Sequence, residues 1–312
     1  MRETYVLINL YPLIKCSTGI SVFDQLEGNI WLDGKIIPWN SAKVHIMTHA
    51  LHYGTSVYEG IRSRNTTLFR APLHYRRFQQ SAAFLDFEVP YSISTLVNAT
   101  QLLLDAGHYN FGYIRALAWC GSKSMVVSHR NSNVHTAIMI WERPMPYPPQ
   151  IYQHGVTLHL ASWRRPCPSS APVHSKASGL YMISAMAKRR AELEGFDDAI
   201  LLDTKDRIAE ASSSNIFFVR EGTLQTPFPH SFLKGLTRAF VLEQAKEEGI
   251  PVIENDIYMS DMPSMEACFL TGTAVGILPV ASVRTAECLY QFKPDSITKR
   301  LQILHQKAFC IF

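Results

Sequence analysis

The sequence holds no CxxC pair and no close grouping of cysteine with histidine; its six cysteines stand apart at 16, 120, 167, 268, 288 and 310. That spacing argues against a zinc site or a disulfide framework and for buried thiols in a reducing compartment. No run approaches the roughly 18 apolar residues that a membrane helix needs. The short apolar stretch near the start has Glu3 in its head region and no small-residue cleavage pattern. Residues 1–28 therefore read as an N-terminal extension of a cytoplasmic protein. A stripe of Lys and Arg interleaved with stacking aromatics is also missing, and the net charge is only +4 over 312 residues. Neither nucleic acid nor a membrane is expected as a partner. Internal repeats and low-complexity tracts are absent.

What is present suits a soluble globular chain with a substantial core in one large domain or two ordinary ones. The run NIWLDGKIIPW reads as a hairpin about Asp33-Gly34, and SVYEGIRSRNTTLFR as two paired strands. From Pro72 the period changes: Leu73, Phe78, Ala82 and Leu85 fall at helical spacing. Ser92 or Ser94 caps a second helix that ends at Ala106-Gly107. YIRALAWCG and VHTAIMIW read as strands. Four prolines (144, 146, 148, 149) then interrupt the chain, and a regular helix or a central strand is not expected there. The domain boundary is placed in that passage: a smaller domain over 29–145, a linker over 146–155 and a larger domain over 156–312. In the second half VTLHLASW is a strand, Arg164 to Pro172 a loop, and Ser178 to Glu194 a helix stopped by Gly195. Strands over 199–203 and 215–219, a turn at Glu221-Gly222, the short return TLQTP and a helix ending at Gly249 follow. PVIENDI, a helix-sized piece holding Met262 to Glu266, and ACFLTGTAVGILPVASV come next. Many short strands mixed with helices, rather than regular βαβ units, indicate an α+β fold.

Chemistry concentrates in Val173 to Phe218. Lys176 stands among proline, serine, alanine and glycine; it is either a surface lysine or, if desolvated, a usable neutral amine for a Schiff base. Glu210 follows an apolar strand and precedes AlaSerSerSerAsn. It is either a turn residue or a carboxylate that could keep a pyridine nitrogen protonated. Two glycine-centred turns, Gly235-Leu236-Thr237-Arg238 before a helix and Thr271-Gly272-Thr273-Ala274, offer amides and hydroxyls to an anion. Arg62, Arg77 and Arg115 sit within apolar patterns, where each needs an anionic partner in the protein or a ligand. His45, His49 and His52 match no metal motif and read as structural.

These pieces, in order, resemble the fold-type IV pyridoxal-phosphate aminotransferases, nearest the branched-chain amino acid aminotransferases and their D-amino acid aminotransferase relatives. The resemblance covers residues 29 to 300. It rests on KVHIMTHALHYGTSVYEGIR (43–62), Arg77 in HYRRF, YIRAL (113–117), ASWRR (161–165), KASGLY (176–181), EASSSNIF (210–217), KGLTR (234–238) and TGTA (271–274). It implies a two-domain fold and pyridoxal 5'-phosphate on Lys176, which also shuttles the proton. Glu210 would face the ring nitrogen and Tyr181 the ring hydroxyl. Arg77, Leu236, Thr237 and Thr273 would hold the phosphate, with Ser214 and Asn215 close by. Tyr53, Tyr58, Arg62, Tyr113, Arg115 and Ala274 would line the substrate pocket, part of it supplied by the second subunit of a homodimer. The implied reaction is ping-pong transfer of an amine from an L-branched-chain amino acid to 2-oxoglutarate.

Three departures from the family pattern bear on the amino donor: Ser214 where glutamate is common, Lys234 where proline is usual, and SMVV (124–127) in place of a glycine-rich loop. They leave open a D-amino acid or (R)-amine transaminase, an aminodeoxychorismate lyase-like enzyme, or a non-catalytic homologue.

Overall fold

The computed structural model describes residues 23–311. Most of the expected N-terminal extension, Cys16 and the side chain of Cys310 lie outside the described residues. Two sheets organise the chain. The first is antiparallel and uses β1 (Asn29–Leu32), β2 (Lys35–Pro38), β3 (Ser56–Arg64), β4 (Thr67–Leu68), β5 (Gly112–Cys120) and β6 (Val134–Glu142), in the order β2-β1-β6-β5-β3-β4. The Asp33-Gly34 turn joins β1 to β2 with both residues at positive φ, 48° and 87°. This is the geometry that a two-residue hairpin demands.

Alternation along β3 and β5 divides that sheet into two chemically different faces. Ile61 stands opposite Ile114, and Ile114 opposite Ile140. This row packs against Tyr75 and Phe78 of α2 (Ala71–Ala83) and Leu96 and Leu103 of α3 (Ile93–Ala106). The other face carries Tyr58, Gly60 and Arg62 opposite Leu117, Arg115 and Tyr113. A five-residue helix, α1 (His49–Tyr53), precedes β3 and ends on Gly54 in the left-handed region.

The second sheet has nine strands. They are β7 (Val156–Arg165), β8 (Asp198–Asp203), β9 (Ile208–Ala211), β10 (Asn215–Arg220), β11 (Thr223–Pro227), β12 (Val252–Asn255), β13 (Ala267–Gly272), β14 (Gly276–Arg284) and β15 (Leu289–Gln291). The order is β12-β11-β10-β13-β14-β7-β8-β9, with β15 beside β14. The run IFFV of β10, 216–219, is apolar throughout because both faces are covered. Ile216 and Phe218 join one cluster with Leu270 and Val280, while Phe217 and Val219 join another with Phe269, Val241 and Leu301. The second cluster lies beneath α6 (Leu236–Glu247) and α7 (Ser296–Ile311), and α5 (Tyr181–Leu193) covers Ala161, Ala199 and Leu201 through Ala187 and Ala191.

The structure differs from the sequence reading at four places. The proline-rich passage ends in a helix, α4 (Pro149–His154), because a proline at the first helical position loses no hydrogen bond. Strand β7 runs on to Arg165, two residues into the expected loop. The piece at 262–266 is a 3-10 turn over Met259–Ser264. Of the expected buried thiols, Cys120 and Cys268 are buried, Cys167 is half-buried and Cys288 is exposed on the Thr285–Cys288 turn.

Candidate active site

Lys176 is fixed by its backbone before its side chain does anything. Its N–H donates to Ser81 Oγ of α2 at 3.0 Å, and its carbonyl accepts from the Tyr58 N–H of β3 at 3.2 Å. The neighbouring Ser175 hydroxyl donates to the Ser81 carbonyl, and Ala177 bridges to Val57. The small residues around Lys176 allow this close approach between the two sheets. The amine then donates to Tyr181 Oη at 2.8 Å and lies 4.7 Å from the Tyr58 ring centre. Burial alone would raise the Tyr181 hydroxyl, but the Lys176 charge and hydrogen bonds from Lys176 and Tyr58 outweigh it and lower it. Burial, then Tyr181, pushes Tyr58 upward.

Glu210 reaches the same cleft from β9. It is 8% exposed, and burial pushes its carboxyl up to about 7 against the opposing charges of Arg165 and Lys176. Arg165 Nε stands 3.2 Å from Glu210 Oε1. Asn215 donates to Glu210 Oε2 at 3.3 Å and to the Leu233 carbonyl at 3.1 Å, and accepts from the Gly235 N–H at 3.0 Å. Its amide is therefore committed to tying the 233–235 turn to Glu210. A Cβ on Gly235 would overlap Asn215 Oδ1, so a larger residue there must displace that amide.

That turn begins α6. Gly235 caps the helix without a side-chain bond, which leaves the first-turn amides as free donors beside Leu236 and Thr237. Thr271, Gly272 and Thr273 close the same end, and the Thr271 hydroxyl is buried with no hydrogen-bond partner. Arg77 borders the cleft from α2. Its Nε and Nη2 pair with Glu59 at 2.6 and 3.0 Å while Nη1 donates to the Lys234 carbonyl. The anion that a buried arginine requires is thus already present in the protein.

The structure brings Lys176, Arg77, Tyr181, Glu210, Ser214, Asn215, Leu236, Thr237 and Thr273 to one cleft. Tyr58 and Arg115 stand over it on the first sheet, with the Arg115 guanidinium 4.4 Å from the Tyr58 ring. Tyr113 and Arg62 lie further along that face, and Arg62 borders an adjoining cleft. Ala274 sits on the β13–β14 turn next to Thr273. Tyr53 stands apart: it is 43% exposed and donates to the Met125 carbonyl. Arg238 turns away to pair with Glu254 and the Pro227 carbonyl. His49 bonds Thr55 Oγ1 and the Val126 carbonyl. Among the described residues no group of three or more His, Cys, Asp or Glu side chains could hold a metal.

Sequence reasoning misses two charged partners. Arg165 falls in the expected loop, and its signal is an arginine at the last position of an apolar strand. Glu59 sits inside SVYEGIR at a position with no exposure, and alternation places it on the α2-facing side with Val57 and Ile61.

The chain matches the model of the amino-transferase class IV family over residues 56–283. It is 35% identical over 279 residues to a probable branched-chain-amino-acid aminotransferase of Rickettsia felis, covering 89% of this chain and 95% of that one. It is 34% identical over 281 residues to the branched-chain-amino-acid aminotransferase of Escherichia coli K12, covering 88% and 90%. Among solved structures, the branched-chain aminotransferase of Thermoproteus uzoniensis with norvaline superposes with a TM-score of 0.84 at 30% identity, over 90% of this chain and 94% of that chain. The α+β architecture, the ordered motifs and the cleft about Lys176 and Glu210 agree with these likenesses, and the chain belongs to the fold-type IV pyridoxal-phosphate aminotransferases.

Proposed function

We propose that the chain binds pyridoxal 5'-phosphate and transfers the amine of an L-branched-chain amino acid to 2-oxoglutarate in two alternating half-reactions. The observation that carries this reading is the placement of Lys176 and Glu210 around one cleft whose third wall is the uncapped start of α6. A flat ring bearing an aldehyde, a basic nitrogen and a phosphate matches those three features. The fit is specific at each end. The unpartnered Thr271 hydroxyl and the first-turn amides of α6 lack an acceptor that a phosphate supplies. Burial holds the Glu210 carboxyl at about 7 even with Arg165 beside one oxygen, so a further cationic N–H from the ring would draw it to its ionised form.

When bound, the cofactor supplies an electron sink for the carbanion at the substrate Cα. The remaining work falls to the chain's own side chains. Lys176 takes and returns the proton at Cα, and its hydrogen bond to Tyr181 aims the amine. Tyr181, lowered by the lysine charge, is suited to holding a proton between two oxygens. Glu210 fixes the charge of the ring nitrogen, and Arg165 keeps that carboxylate oriented. Arg115 above Tyr58 is placed to meet the distal carboxylate of 2-oxoglutarate, while the aromatic floor of Tyr58 and Tyr113 takes an aliphatic side chain.

Assembly follows the same reading. Val44, Ile46, Met47, Leu51, Val126 and Val127 are exposed around Tyr53, and such a patch is a suitable seat for the second subunit of a homodimer. Residues 29–145 and 156–312 are proposed as the smaller and larger domains of each subunit. The test is a half-reaction screen: L- and D-amino acids are added singly to the loaded protein while the cofactor's absorbance is followed. Loss of the aldehyde-form band with L-leucine and L-valine is expected. Response only to D-amino acids or (R)-amines, or pyruvate release from aminodeoxychorismate, would replace this reading.

A further inference from the structure

Beyond Tyr58 the same sheet face gathers donors without acceptors. The Arg62 residue is 4% exposed, and its Nε, Nη1 and Nη2 are all buried with no hydrogen-bond partner. Its guanidinium lies 5.4 Å from the Phe309 ring of α7. The Tyr152 hydroxyl of α4 is likewise buried and unpartnered, within the field of both Arg62 and Arg143. Arg143 stacks 5.2 Å from the Tyr113 ring, and Arg115 flanks that ring at 5.7 Å. The carboxylate nearest in sequence, Glu142, is occupied: its two oxygens accept the backbone N–H groups of Asn110 and Phe111 at 2.9 Å each. A buried guanidinium left in this way is complementary to an anion brought from outside.

Position along the strand gives the order in which a ligand leaving Lys176 meets these groups. Tyr58, beside the lysine, is two residues from Gly60, which pairs with Arg115, and four from Arg62. At ~3.4 Å per residue the Cα offsets along the strand are roughly 7 and 14 Å, and the side chains narrow that gap, since Arg115 and Arg143 flank one Tyr113 ring at 5.7 and 5.2 Å. A ligand extended from Lys176 therefore meets Arg115 first and the Arg62 cluster later. Gly60 keeps the path low, because Tyr113 Oη occupies the space its Cβ would fill. The cleft bordered by Arg62 adjoins the Lys176 cleft and shares Leu236, Thr237 and Thr273 with it.

We propose that Arg62, Arg143 and the Tyr152 hydroxyl form a carboxylate subsite for amino and oxo acids whose second carboxylate lies at least one methylene beyond that of 2-oxoglutarate. Arg143 is the specificity residue, since it alone of the two arginines is half-exposed and replaceable without emptying the core. The inference rests on the aminotransferase reading for its substrate but not for its binding site. Unreactive ligands separate the two: adipate and hexanoate have the same carbon skeleton and differ by one carboxylate. In calorimetry on the cofactor-loaded protein, adipate is expected to bind at least about ten-fold more tightly than hexanoate, roughly 1.4 kcal/mol. Arg143→Gln and Tyr152→Phe should each remove most of that preference, with hexanoate affinity within about two-fold of the parent. In amine transfer the same variants should raise KM for 2-oxoadipate and spare 2-oxohexanoate. Equal binding of adipate and hexanoate, or a preference untouched by both variants, overturns the proposal. So does tight binding of inorganic phosphate with no advantage of adipate over hexanoate, which makes the cluster a site for free anions. If no oxo acid accepts an amine while the adipate preference persists and responds to the variants, the aminotransferase reading fails and the subsite stands.

Discussion

Replacing Glu59 with glutamine tests whether the α6 end of the cleft is held by one buried carboxylate. Glu59 is fully buried and receives four donors: Arg77 Nε at 2.6 Å, Arg77 Nη2 at 3.0 Å, His74 Nδ1 at 2.8 Å and the Gly60 N–H at 3.2 Å. Burial opposes its charge, but Arg77 and His74 more than compensate and hold it well below the usual carboxylate range. His74 itself is kept below its ordinary value, chiefly by burial, and serves as a neutral donor. Glutamine keeps the volume and one acceptor, loses the charge, and turns an N–H₂ toward a donor. Breaking a buried pair in this manner costs about 3–5 kcal/mol. At roughly 2–4 °C per kcal/mol, thermal denaturation should shift down by about 6–20 °C. The acid limb gives the sign. A carboxylate depressed in the folded state stabilises above its unfolded pKa of about 4.3, and that contribution is lost as pH falls toward the folded value. The gap between parent and variant should therefore narrow below about pH 4. A variant within about 0.5 kcal/mol of the parent at neutral pH would refute the reasoning.

Other consequences are equally direct. Glu210 is raised in the fold, so cofactor-free protein should lose stability as pH rises from about 4.5 to about 7; urea denaturation of Glu210→Gln should lack that slope. His305 is lowered to about 4 by burial and by Arg62 and Arg70, so stability should fall as pH drops from about 6.5 toward 4, by at most about 3 kcal/mol; His305→Asn should flatten that limb. Gly60→Ala must push the buried Tyr113 ring aside, which should cost about 1–3 kcal/mol in denaturant unfolding and raise KM for amino donors.

Local chemistry was legible wherever a residue's neighbours in sequence were also its neighbours in space. Lys176, Tyr181 and the 233–237 turn needed only short segments, as did the Asp33-Gly34 hairpin. Partners contributed by distant elements were not legible. Arg165 of β7 reaches Glu210 of β9 across the intervening strand β8, and Glu59 meets Arg77 only once α2 lies on β3. The expected role of Arg77 was incomplete for the same reason: the sequence required an anion, and the fold supplied one within the protein. Helix α7 had a readable signal in Ile297, Leu301 and Leu304 at helical spacing, with Asp295 Oδ1 accepting the Thr298 N–H, yet the tail drew no assignment. Tyr152 was hidden by its prolines. A passage read as a spacer carries a hydroxyl to the one buried guanidinium whose nitrogens all lack partners among the described residues.

The central claim is that Lys176 carries the cofactor and moves the proton. Borohydride reduction of the loaded protein, followed by peptide mapping in a mass spectrometer, tests it most directly. The predicted result is a pyridoxyl group on the peptide holding Lys176, with Lys176→Ala showing no such adduct and no amine transfer. An adduct on a different lysine, or amine transfer that survives Lys176→Ala, would contradict it.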